Sequence, residues 1–161
     1  MDVNSVRVVG VVGSGTMGRG IGQVFAEHGF EVILCDVKME IVEHALKIIE
    51  GFIRRSVEKG RLSSEMAELI LGRFHGTTSL EEVARGSDFI VEAVVEDLKV
   101  KSDVFRILDK YASKDVVIAS NTSSLSITAL GAATGRADRV VGMHFFNPPP
   151  LMKLSLIHIS E

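Results

Sequence analysis

Apolar and polar positions switch between two periods along this chain. The run from Val6 to Val12 is almost wholly apolar and predicts a buried strand; Ile21, Val24, Phe25 and His28 then recur at helical spacing until Gly29, which is placed to close the helix in a left-handed turn. Glu31 to Cys35 predicts a second strand. Met39 to Lys59 carries Ile41, Val42, Ala45, Ile48, Ile49, Phe52, Ile53 and Val57 on one helical face, with Gly60 as its stop. Ser63 or Ser64 caps a further helix bearing Met66, Leu69, Ile70 and Leu71. Thr77-Thr78 reads as a short strand, and Ser79 to Glu82 as a capping box opening a helix that ends near Gly86. Strands follow at Asp88 to Val94, Asp115 to Ser120 and Arg139 to His144. Helices are predicted from Leu98 to Tyr111, with Val100, Val104, Phe105 and Leu108 facing inward, and from Ile127 to Leu130. Leu154 to Ile159 is apolar enough for one more strand. Strands alternating with helices predict an α/β chain: an open, mostly parallel sheet with helices on both faces.

The first strand leads straight into Gly13-Ser14-Gly15-Thr16-Met17-Gly18, and the second strand delivers Asp36 at its tip. Strand, glycine turn, helix, strand and acid make up the dinucleotide-binding fingerprint in its required setting. Gly13 permits the tight turn, Gly15 lets backbone approach a pyrophosphate, and Gly18 lets the helix lie close to the strand. The helix N-terminus turns free N–H groups toward the phosphates. Asp36 suits the ribose hydroxyls and repels a 2′-phosphate, which favours NAD over NADP; Lys38, two residues on, works slightly against that preference. The fold class is therefore a Rossmann-type, doubly wound, mostly parallel sheet, and the segment at about 39–73 is a helical-hairpin insertion in it.

Composition narrows the setting. A length of 161 residues, 46% of them hydrophobic, suits one domain with a core of its own. A net charge of −3 and no basic stripe argue against nucleic acid. No apolar run reaches the roughly 18 residues of a membrane span, and Met1-Asp2-Val3-Asn4 does not begin a targeting signal. A single cysteine, Cys35, excludes an internal disulfide and fits a reducing, cytoplasmic setting. No metal-ligand set is assigned.

Ligands of such sheets bind outside the carboxyl ends of the strands, where Asp36, Glu96, Ser123, His144 and Asn147 are expected to converge. His144 reads either as a satisfied core residue or as a base, since an imidazole titrates near pH 6.5. Oxidising an alcohol needs a group to take the hydroxyl proton as hydride leaves carbon. Ser123 reads either as a turn residue or as a donor to the same substrate oxygen. Arg54, Arg55, Lys59 and Arg61 near the hairpin tip read as a solvated basic face or as a site for the phosphates of a long substrate.

The glycine turn, Val91-Glu92-Ala93-Val94-Val95-Glu96-Asp97-Leu98-Lys99-Val100-Lys101, Ser120-Asn121-Thr122-Ser123-Ser124-Leu125 and His144-Phe145-Phe146-Asn147-Pro148 together resemble the 3-hydroxyacyl-CoA dehydrogenase family over residues 5 to 154. The resemblance implies oxidation of an L-3-hydroxyacyl-CoA to the 3-ketoacyl-CoA with NAD. It makes His144 the acceptor of the hydroxyl proton and Ser123 a contact to substrate oxygen and nicotinamide. Asp36 becomes the ribose acid. Glu96 and Lys101 become residues of the cofactor and substrate sites, the lysine also reaching the CoA side, and Asn147 joins the substrate site. Lys59 falls on a CoA-binding position of the hairpin. Phe52 falls on another, where relatives carry a polar residue.

Two departures accompany the resemblance. The family pairs its histidine with a glutamate in a motif like MKLVE; this chain reads Met152-Lys153-Leu154-Ser155-Leu156, so Leu156 stands at the glutamate position. The family also continues into an all-helical domain that covers the substrate and forms a homodimer interface. The expectation is a domain over 1–154, an atypical tail at 155–161 resembling foreign sequence, and no helical domain. Two other readings stay open: a stand-alone NAD-binding module without catalysis, and a dehydrogenase of a non-CoA hydroxy acid such as gulonate.

Overall fold

A computed structural model describes residues 3–152 and 154–159. Seven strands form one sheet: β1 (Val8–Val12), β2 (Glu31–Cys35), β3 (Phe74–Thr77), β4 (Phe89–Glu92), β5 (Val117–Ser120), β6 (Val140–Phe145) and β7 (Leu154–Ile159). Their order is β3-β2-β1-β4-β5-β6-β7; the first six are parallel and β7 runs antiparallel to β6. The order reverses between β1 and β4, which creates a crevice at their carboxyl ends. Six helices connect the strands: α1 (Thr16–Glu27), α2 (Met39–Glu58), α3 (Ser64–Leu71), α4 (Leu80–Gly86), α5 (Leu98–Tyr111) and α6 (Ile127–Ala132).

The pleat sends alternate residues into two cores. Val9, Val11, Val32, Leu34 and Val91 meet Ile21 of α1, Val42, Ile49 and Ile53 of α2 and Ile70 of α3. Val12, Cys35, Ile90 and Ile118 meet Val83 of α4, Phe105 and Leu108 of α5 and Leu130 of α6. Both faces of the central strands are thus apolar, which is why they read as continuous hydrophobic runs. Burial pushes the Cys35 thiol up to about 12, with the Asp36 and Glu82 carboxylates adding to the shift. Among the described residues, no helix is long and apolar enough to cross a membrane.

Several expectations need correction. The third strand is Phe74–Thr77 and stops where the predicted one begins, because pairing with β2 extends from Val32 opposite Phe74 to Cys35 opposite Thr77. Only half of the capping box forms: Ser79 Oγ accepts from the Glu82 N–H, but the Glu82 carboxylate is taken by the Thr77 hydroxyl and His75. On α5, Phe105 and Leu108 are buried, whereas Val100 is 40% exposed and its inward neighbour is Lys101. On α2, Ile41 and Phe52 lie outside the buried stripe. The predicted edge strand does form at Leu154–Ile159, while residues 160 and 161 of the expected tail, like Met1, Asp2 and Lys153, lie outside the described residues.

Phe105 is fully buried in the second core. Phe105→Ala is expected to lower unfolding free energy by about 3–5 kcal/mol, through lost transfer energy and the cavity left behind, as measured by urea titration.

Candidate active site

The glycine turn leaves β1 as the fingerprint requires. Gly13 has φ +95, where L side chains are strained, and its N–H donates to Cys35 O at 2.8 Å. A Cβ on Gly18 would sit 1.7 Å from Gly13 O, so only glycine lets α1 start this close to the strand. Nothing lies within 4 Å of the Cβ direction of Gly15, and α1 has no side-chain cap. Its first N–H groups are left for an anion, so the cradle fits a pyrophosphate. Asp36 is already tied to this turn: its Oδ2 accepts from Ser14 N–H at 2.7 Å and from the Ser14 hydroxyl at 2.8 Å, and its Oδ1 accepts from Val37 N–H at 2.7 Å. A carboxylate has about four acceptor positions, so one remains for a ribose hydroxyl.

At the carboxyl ends of β4, β5 and β6, a cavity of about 490 Å³ brings together Met17, Glu96, Lys101, Ser123, His144 and Asn147. Residues as far apart in the chain as Met17 and Asn147 thus face one space, on the same side of the sheet as the glycine turn. The β6 strand delivers His144; its Nδ1 lies 3.2 Å from Asn121 O, and its ring meets Phe146 edge-on at 6.3 Å between centroids. Leu156 on β7 is the cross-strand partner of His144 in the register, so the position facing the histidine across the ladder carries no carboxylate.

Below this cavity lies an ionic network that the sequence reading overlooked. Lys101 and Glu92 are 1% and 0% exposed and 2.7 Å apart. Lys101 Nζ also reaches Val94 O at 3.2 Å and Glu96 Oε2 at 3.3 Å, which uses its three donors. Glu92 further accepts from the Ser120 hydroxyl and the Val94 N–H, each at 2.7 Å. The Lys101 ammonium is committed inside the protein, where it holds Glu96 at the cavity's edge. The available signal was an acid within the apolar run Phe89-Ile90-Val91-Glu92, answered by a lysine on the inner face of the next helix.

Glu96 passes this anchoring on to the Asn121–Leu125 turn. Its Oε1 accepts from the Thr122 hydroxyl, from Ser123 N–H at 3.2 Å and from the Ser124 hydroxyl at 3.5 Å. Partial burial opposes the charge, but the Thr122 hydroxyl, Lys101 and the Ser123 N–H outweigh it and hold the carboxyl below the usual range.

A second cavity of about 430 Å³ lies between α1, the hairpin and the proline turn, lined by Arg19, Phe52, Arg55, Lys59, Arg61 and Asn147 among others. Pro149 packs on α1, 2.8 Å from where a Cβ on Gly20 would sit. Arg55 lies over the Phe52 ring at 4.9 Å. Arg54, grouped with these cations in the sequence, instead pairs with Glu50 and Glu68 at 3.2 and 2.5 Å. Asn147 lines both cavities.

This arrangement has close counterparts. The model of the 3-hydroxyacyl-CoA dehydrogenase NAD-binding domain matches residues 8–158. The chain belongs to this family. Its cofactor is accordingly NAD, in keeping with Asp36 at the tip of β2. A probable 3-hydroxybutyryl-CoA dehydrogenase of Deinococcus radiodurans is 45% identical over 145 residues, covering 90% of this chain and 51% of that protein. The mitochondrial hydroxyacyl-coenzyme A dehydrogenase of Sus scrofa is 45% identical, with 92% of this chain and 49% of that protein covered. The crystal structure of 3-hydroxybutyryl-CoA dehydrogenase from Escherichia coli K12 superposes with a TM-score of 0.90 at 40% identity, over 92% of this chain and 31% of that one. The chain spans about half the length of the curated family relatives it matches.

A lowered carboxyl pKa fixes the sign of one expectation. The Glu96 contribution is complete above the ordinary glutamate value of 4.5 and is lost as pH falls through the lower folded value. Amide exchange at Ser123 is expected to stay slow above pH 4.5 and to quicken, relative to intrinsic rates, below it; Glu96→Ala is expected to lack this protection throughout.

Proposed function

We propose that this chain is the cofactor-binding part of an enzyme that reversibly oxidises an L-3-hydroxyacyl-CoA to the 3-ketoacyl-CoA, within fatty-acid and butanoate metabolism. The observation that carries the reading is that His144, Ser123 and Met17 of the glycine turn line one cavity. NAD, when bound, supplies the hydride acceptor. Gly13 to Gly18 hold its pyrophosphate and Asp36 its ribose. Ser123 hydrogen-bonds the substrate oxygen, and His144 takes the hydroxyl proton in the oxidative direction and returns it in the reverse. Glu96 keeps the serine turn against the cavity.

Asn147 sits where an acyl chain leads from this chemistry toward the basic cavity. There Lys59, with Arg19, Arg55 and Arg61, suits the phosphates of CoA by charge. Phe52, 45% exposed, adds apolar surface to this cavity. The buried free thiol of Cys35 is in keeping with a cytoplasmic setting. Homodimer formation belongs, in this reading, to a helical domain like that of the family.

The test compares this chain with the same chain extended by a family helical domain, in NADH binding and in NADH oxidation with acetoacetyl-CoA. Expected are NADH binding by both and turnover by the extended protein. NADH binding without turnover in either identifies a binding module, a reading favoured by Leu156 opposite His144. Preference of the extended protein for free hydroxy acids identifies a non-CoA dehydrogenase. In the extended protein, Lys59→Ala is expected to raise KM for acetoacetyl-CoA several-fold with little change in kcat, since it removes binding common to ground and transition states.

A further inference from the structure

The position facing His144 across the β6–β7 ladder carries Leu156, yet the ring of His144 is not left without an orienting group. Asn121, the residue directly after β5, holds this region at three points. Its N–H donates to Glu92 O at 2.8 Å, which ties it to β4. Its carbonyl oxygen lies 3.2 Å from His144 Nδ1. Its side-chain Oδ1 accepts from the Phe145 N–H at 2.9 Å, at the irregularity where the β6–β7 register shifts between His144 and Phe145.

A main-chain carbonyl can only accept, so the contact at Nδ1 requires the proton to reside there. A neutral imidazole carries one N–H, which leaves Nε2 with its lone pair. In water a free histidine side chain favours the opposite tautomer, so the protein must hold this one. Glu96 is not the holder: one of its oxygens serves Thr122, Ser123 and Ser124, and the other faces Lys101.

We propose that Asn121 is the positioning residue of His144, fixing the Nδ1–H tautomer through its main-chain carbonyl and the ring's place through its carboxamide. The inference rests on the reading of His144 as the base. Asn121 orients the imidazole as a carboxylate partner would, without supplying a carboxylate's charge. The Nε2 lone pair then accepts the proton from the substrate hydroxyl oxygen, while the carbon bearing that hydroxyl gives up its hydride, for which bound NAD would be the acceptor.

The tautomer can be read without substrate or cofactor, so failure of this inference is separable from failure of the functional one. Long-range 15N–1H correlation spectra of histidine-labelled protein at about pH 8.5, where an ordinary imidazole is neutral, distinguish the two forms. His144→Asn assigns the signal among the five histidines. The expected result is Nδ1–H for His144, a shift toward Nε2–H in Asn121→Ala, and retention of Nδ1–H in Asn121→Asp, which keeps an acceptor for Phe145 N–H. Nε2–H in the unsubstituted protein overturns the proposal; because Asn121→Ala keeps the main-chain carbonyl, a spectrum unchanged in that variant overturns the part assigned to the carboxamide. If Asn121→Ala fails to fold, the unsubstituted protein and Asn121→Asp still decide, since loss of Nδ1–H in either is contrary. In the extended protein, Asn121→Ala is expected to lower kcat by about tenfold or more with KM for acetoacetyl-CoA little changed, and Asn121→Asp to restore kcat. If the extended protein turns nothing over while His144 remains Nδ1–H, the functional reading falls and the positioning by Asn121 stands.

Discussion

The buried pair of Glu92 and Lys101 is the constraint on which the active rim depends. An ammonium and a carboxylate out of water are tolerated only when they meet each other and their remaining hydrogen-bonding capacity is filled. Here it is filled by Ser120, Val94 and Glu96. Each of these partners belongs to a different part of the rim: the end of β5, the segment after β4 and the approach to α5. A charge that cannot be left unpaired thus forces three pieces of backbone into one arrangement. Loss of one member of such a pair generally costs about 3–5 kcal/mol because the other is stranded.

From this anchor, order extends outward through short polar links. Lys101 holds Glu96, and Glu96 holds the turn that carries Ser123. The backbone of β4 holds Asn121, and Asn121 holds His144 and Phe145. The serine and the histidine are therefore both placed from β4, through neighbouring residues of one turn. The second cavity is built differently, from the hairpin's cations and the proline turn packed on α1, and it meets the first at Asn147. A cavity lined by Ser123 and His144 and a cavity lined by cations thereby meet at one residue.

Leu156 gives this chain a particular balance. A carboxylate partner both aims an imidazole and stabilises its charged form, whereas a carbonyl does only the first. The geometry for accepting a proton is present, and the counter-charge across the ladder is not.

Most of the fold was readable from one dimension. A strand buried on both faces needs an unbroken apolar run, a helix against it needs a stripe at helical spacing, and the glycine turn has few other uses between them. These requirements act within about twenty residues, so β1, β2, α1, α2 and α5 could be read directly, and the convergence of Ser123 and His144 on one cavity followed from parallel topology. The start of β3 could not be read, because Phe74 and His75 gain strand structure only by pairing with β2. Nor could the burial of Lys101, which the resemblance placed at the cofactor and substrate sites; it depends on pairing with Glu92 nine residues earlier and with Glu96. The contact between Asn121 and His144 spans 23 positions and exists only once β5 and β6 are paired. Local chemistry therefore determined the elements and the reactive side chains, while tertiary pairing decided which of those side chains face the cavity, which are spent holding others, and what orients the histidine.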